Sequence, residues 1–158
     1  MKPVLVIGLG SELAGDDCIG CRLVEWLALD DVLRDGADFT VAGSDVLCTA
    51  DRMLNRERIV LVDAMLCDAE PGTVSVLEEP FEDVDIDWRH AHAPSAVQAV
   101  ELLKAAVPGL HDTHFHLIAV AVPEVRFEDM LSARFSEIAA RVHDALVAIP
   151  GVTGGVAR

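Results

Sequence analysis

The chain has 158 residues, 52% of them hydrophobic, and its 12 basic and 27 acidic residues give a formal net charge of −15. That length suits one domain with a substantial core, and a mean hydropathy of +0.37 excludes a disordered chain. The acidity disfavours nucleic acid and anionic membrane surfaces, and no apolar run reaches the roughly 18 residues that span a bilayer.

In chain order, PVLVIGL (3–9) is a continuous apolar run, the pattern of a strand buried on both faces. From Asp17 to Leu29 the period becomes helical. Ile19, Leu23 and Leu27 recur every four residues with Trp26 beside them, while Arg22 and Glu25 fall off the stripe. DFTVA (38–42) reads as a second strand, and residues 45–55 as a short helix. RIVLVDA (58–64) is a third buried strand ending on Asp63, and the EPG turn at 70–72 leads into a short strand, TVSVLE.

The acidic EEPFEDVDID reads as exposed loop, and Pro94 suits the first turn of the next helix. That helix sets Ser95, Gln98, Glu101 and Lys104 opposite Val97, Val100 and Leu103. THFHLIAVAV (113–122) is the last long strand. The final helix runs from Ser132 to Ile149, with Phe135, Ile138, Val142 and Leu146 inward and Glu137 and Arg141 as an exposed pair. Strands alternating with helices predict a parallel, helix-covered sheet in a single α/β domain over 1–150, with a frayed tail at 151–158.

The chemistry centres on GLGSELAGDDCIG (8–20), a glycine turn between the first strand and its helix. In that layout backbone N–H groups and the helix N-terminus hold phosphate. Asp16 and Asp17 give the corner the opposite charge. Gly8 and Gly10 fit a dinucleotide fingerprint, but Leu13 stands where the third glycine belongs. Ligands in open α/β sheets bind beyond the carboxyl ends of the strands, where strand order reverses. Asp16 and Asp17 follow the first strand, Asp63 closes the third, and His90 and His92 precede Pro94. Two carboxylates and an imidazole converging there suit a divalent metal. Capping is the other reading of the first pair, with Asp16 as N-cap and Asp17 in the first turn. Asp63 directly follows IVLV, so its carboxylate needs a partner or a ligand.

Other motifs carry less. CIGC (18–21) at a helix N-terminus has the thioredoxin-like arrangement, but Asp16 and Asp17 oppose a thiolate there. His114 and His116 of HFH share one strand face without a third metal ligand in view. No serine nucleophile elbow and no HExxH appears. Cys18, Cys21, Cys48 and Cys67 read as free thiols without a secretory leader, and a cytoplasmic protein is expected.

Together, VLVIGLGSELAGDDCIG, IVLVDA, HAPSAVQAVELL, LIAVAVPE and LSARFSEIAARV resemble the hydrogenase maturation endopeptidases in order and spacing. Members of that family trim the C-terminal extension of the nickel–iron hydrogenase large-subunit precursor once nickel is in place. The resemblance implies a three-layer fold of phosphorylase/peptidase-like kind. Its twisted, mostly parallel five-stranded sheet has helices on both faces, with the 73–78 strand antiparallel at an edge.

The resemblance places the metal-contacting positions on Asp17, Asp63 and His92, with His90 as a rival to His92. Asp17 and Asp63 are also the implied catalytic residues, either serving as general base toward water. Nickel is implied as part of the substrate, without an organic cofactor; a monomer docking one large partner, the hydrogenase large-subunit precursor, is the simplest expectation. The chain departs from the family at Ser11, where asparagine is usual, and at Cys18, where glycine is usual. Its VAGS (41–44) replaces a glycine-rich turn carrying an acidic residue and a threonine. The altered VAGS segment keeps one alternative in view, a non-catalytic module that binds a metal-loaded partner, and CIGC keeps a lesser one, a CxxC thiol redox protein.

Overall fold

The computed structural model describes residues 1–11, 15–81, 96–122 and 131–154. Strands β1 (Val4–Leu9), β2 (Ala37–Gly43), β3 (Arg58–Leu66), β4 (Val74–Glu78) and β5 (His114–Val122) form one sheet in the order β2-β1-β3-β5-β4. All neighbours run parallel except β4, which pairs antiparallel to β5 at an edge. The expected mostly parallel five-stranded α/β sheet is present.

The strands alternate their side chains between two cores. Val4, Val6, Val60, Val62, Ile118 and Val120 face α1 (Ile19–Leu27) and α5 (Phe135–Ala148), where Leu23, Leu27, Ile138, Val142 and Leu146 complete one cluster. Leu5, Ile7, Ile59, Leu61, Phe115 and Leu117 face the other way. They pack with Met53 of α3 (Ala50–Met53) and with Val97, Val100 and Leu103 of α4 (Ala96–Ala106). Helices thus cover both faces. Among the described residues, no helix is long and apolar enough to cross a membrane.

Three expectations change. The helix expected over 17–29 is shorter, because Asp30 starts a separate helix, α2 (Asp31–Gly36). Its carboxylate accepts the amides of Val32 and Leu33 at 2.9 and 3.0 Å, an N-cap that ends one helix and begins the next. The tail expected to fray from 151 instead tucks Val152 fully into the first core. Finally, β3 does not close on Asp63 but continues to Leu66.

Candidate active site

Strand order reverses between β1 and β3, because β2 lies on one side of β1 and all later strands on the other. The register shows what this creates. β1 pairs with β3 only as far as Gly8↔Val62, while β3 continues beside β5 to Leu66↔Val122. Asp63 is therefore the first residue past the β1–β3 pairing, at the carboxyl end of the sheet where open α/β folds form their binding crevice. Its strand is prolonged because β5, rather than β1, supplies the remaining hydrogen bonds.

Glycines bring the other carboxylate to that crevice. A Cβ on Gly20 of α1 would lie 2.2 Å from the Val62 carbonyl oxygen and 2.5 Å from that of Leu9. A Cβ on Gly8 would stand 2.7 Å from the Gly20 carbonyl oxygen. Helix α1 therefore rests directly on the β1–β3 seam. At Gly10 (φ +131°) a Cβ would fall 1.8 Å from the Asp17 carbonyl oxygen. The short 3-10 turn Gly15–Cys18 is thus folded down onto the end of β1.

Within that turn the two acids differ. Asp16 is 3% exposed and its carboxylate accepts the Leu131 amide at 2.9 Å, tying the turn to the chain before α5. Asp17 is half-buried and accepts the Ser11 amide at 3.1 Å. The residue at the N-cap of α1 is Cys18, which makes no side-chain capping bond, so Asp16 does not cap the helix. Its role is to anchor the turn.

Asp63 is pushed up to about 7, first by burial and then by the negative charge of Asp17; the Ala64 amide, 2.8 Å away, pulls in the other direction. Two like charges facing one crevice favour whatever positive ion can settle between them. Such a pair also suits proton transfer near neutral pH.

His92 and its rival His90 lie outside the described residues. Among the described residues, no group of three or more histidine, cysteine, aspartate or glutamate side chains could hold a metal ion. Asp17 and Asp63 offer a donor pair of hard oxygens, which fits a divalent cation that brings ligands of its own.

The remaining motifs sit apart or play other parts. His114 is exposed and His116 buried at the start of β5, whereas Asp63 lies level with Ala119 farther along the sheet. Cys18 and Cys21 are free thiols. Cys21 donates to the Gly10 carbonyl at 3.5 Å. Burial pushes its thiol up to about 11; the Gly43 amide lowers it, while Cys18, Asp63 and Glu25 raise it further. A thiol so disposed is a poor nucleophile. Its position at the junction of the β1 and β2 ends was not apparent from CIGC alone. The Gly10 amide also donates to the Gly43 carbonyl at 2.9 Å, bringing the VAGS segment against the same corner.

Comparisons with known proteins bear on the fold. No family model matches the chain. It is 28% identical over 103 residues to the hydrogenase 2 maturation protease of Escherichia coli K12, covering 65% of this chain and 62% of that protein. The chain thus spans less than two thirds of that curated relative. The solved structure of the [NiFe] hydrogenase maturation protease HybD from Thermococcus kodakarensis is 28% identical. It superposes with a TM-score of 0.69, covering 92% of this chain and 99% of the other. The hydrogenase maturating endopeptidase HybD of E. coli shares the fold, with a TM-score of 0.67 at 22% identity over 93% of both chains.

Proposed function

We propose that this chain, whose relatives in sequence and fold are hydrogenase maturation proteases, is itself an endopeptidase. It removes the C-terminal extension of a nickel–iron hydrogenase large-subunit precursor after nickel insertion. The observation that carries this reading is the placement of Asp17 and Asp63 at the β1–β3 reversal, where each raises the electrostatic need for a cation. In this reading nickel arrives as part of the substrate, and His92 joins the two carboxylates in sensing it. The metal supplies Lewis acidity toward the scissile carbonyl.

The chain's own residues do the rest. Asp63, poised near neutrality, accepts a proton from the attacking water and returns it to the leaving amine. Asp17 holds the positive charge in register while Ser11 fixes its carboxylate. Asp16 anchors the turn through Leu131, and Gly20 keeps it against the sheet. Neither Cys18 nor Cys21 takes part as nucleophile. The protein works as a cytoplasmic monomer alongside its substrate.

The test mixes the protein with nickel-loaded and nickel-free precursor and follows the C-terminal peptide by mass spectrometry. Release is expected only with the loaded precursor, and Asp17→Asn should slow it at least about a hundredfold. Unimpaired release by Asp17→Asn removes the proposed site. Co-purification of an uncut precursor would favour a binding module instead.

A further inference from the structure

Among the described residues, strand β2 has β1 as its only partner in the sheet. Alternate residues of an edge strand turn their N–H and C=O groups outward, and residues 38–43 are all only half-buried. At the foot of β2 lies a groove of about 300 Å³, lined by Ala28, Arg34, Ala37, Asp38 and Phe39. At its head the Gly43 carbonyl accepts the Gly10 amide, and Gly10 abuts Asp17. An open strand edge therefore connects the groove to the acidic crevice. Seven residues of strand, Ala37–Gly43, cover roughly 20 Å.

Cationic side chains flank this edge within an acidic protein. Arg34 lines the groove with 61% of its side chain exposed, and Arg52 of α3 donates to the Thr40 hydroxyl. The nearby carboxylates leave Arg34 available. Asp38 is already paired with Arg56 and accepts the Lys2 amide at 3.0 Å. Asp31 lies 3.6 Å from Arg34 but is 95% exposed, too solvated to compete strongly. The Asp35 carbonyl accepts the Lys2 ammonium. The opposite edge of the sheet, β4, ends on the exposed Glu78, which repels a carboxylate, while the neighbouring Glu79 is paired with Lys104 at 2.9 Å.

We infer that the β2 edge receives the C-terminal segment of the substrate polypeptide as an added antiparallel strand. The segment's terminal carboxylate lies beside Arg34 in the groove, and its scissile end meets Asp17 and Asp63. This rests on the endopeptidase reading above. Backbone pairing supplies affinity with little dependence on side chains, and the carboxylate fixes direction and length. A free chain end is thereby distinguished from an internal loop.

The experiment uses nickel-loaded precursor with a free or an amidated C-terminus, and the wild-type or Arg34→Glu enzyme. Amidation or Arg34→Glu alone should raise KM roughly tenfold with kcat within about twofold, and the two together should add little. Hydrogen exchange should show residues 38–43 protected when precursor binds. An unchanged KM in both cases, or protection at β4 instead of β2, overturns the docking mode. A precursor that binds with β2 protected but is never cut sinks the endopeptidase reading and leaves the docking mode standing.

Discussion

Asp38 and Asp63 are strand carboxylates at opposite ends of one mostly parallel sheet, and their surroundings drive them in opposite directions. At the foot, burial raises Asp38, but the Lys2 amide and the Arg56 guanidinium outweigh it and hold the carboxyl below its ordinary range. At the head, burial raises Asp63, and the charge of Asp17 adds to the rise. One fold thus neutralises a carboxylate at the foot of the sheet and leaves a pair of them opposed at its head. Charge left uncompensated beside a crevice is a better guide to function than charge alone.

The contrast can be broken at the packing that creates it. Gly20→Ala places a Cβ against two backbone carbonyls, forcing α1 off the β1–β3 seam. We expect a loss of about 2–3 kcal/mol in denaturant melts despite alanine's better helix propensity. Peptide release should fall with it, because the turn bearing Asp17 moves as well.

A second test sharpens the head of the sheet. Asp63 keeps its proton in the folded state to about pH 7, whereas an unfolded aspartate loses it near 4. Protein stability attributable to this group therefore declines as pH rises from about 4 to about 7, then levels off. Asp63→Asn should abolish activity yet stabilise the protein on the order of 2 kcal/mol at pH 8, with little gain at pH 4. Thermal melts across that range give the comparison.

The foot should behave with the opposite sign and a smaller size. Arg56→Ala breaks the Asp38 pair and the 2.6 Å bond to the Lys2 carbonyl. We expect a cost of about 1 kcal/mol at neutral pH, discounted for the partial exposure of Asp38. Because Asp38 is lowered, its contribution is present above the ordinary carboxylate range. It fades as acid carries the folded protein through that lowered value. The gap between Arg56→Ala and wild type should narrow in strong acid to what the lost bond to the Lys2 carbonyl leaves.

Much of this arrangement was legible in the sequence. Continuous apolar runs announced β1, β3 and β5, and the order of strands and helices announced a helix-covered sheet. Asp63 stood out because a carboxylate directly after such a run lacks a structural excuse, whereas Asp17, which could equally serve the first turn of the helix, was singled out by the family resemblance. What escaped was set by distant partners. The extension of β3 past Asp63 depends on β5 pairing, and the anchoring of Asp16 depends on the Leu131 amide, far along the chain. Gly20 could have been noticed as a glycine inside a helix, a position that calls for close packing. Helix α2 was announced by Asp30 and passed over because its apolar pattern is too short to show a period. Val152 looked like tail because two glycines follow it, yet a single buried valine fixes that segment.

The most direct test of the central claim is a carbon-13 NMR titration of the Asp63 carboxyl in the wild-type protein and in Asp17→Asn. The expected result is a midpoint near pH 7 in the wild type, shifted toward ordinary carboxylate values once Asp17 is neutral. A midpoint near 4 in both proteins, or one untouched by the substitution, would contradict the pairing on which the candidate site rests.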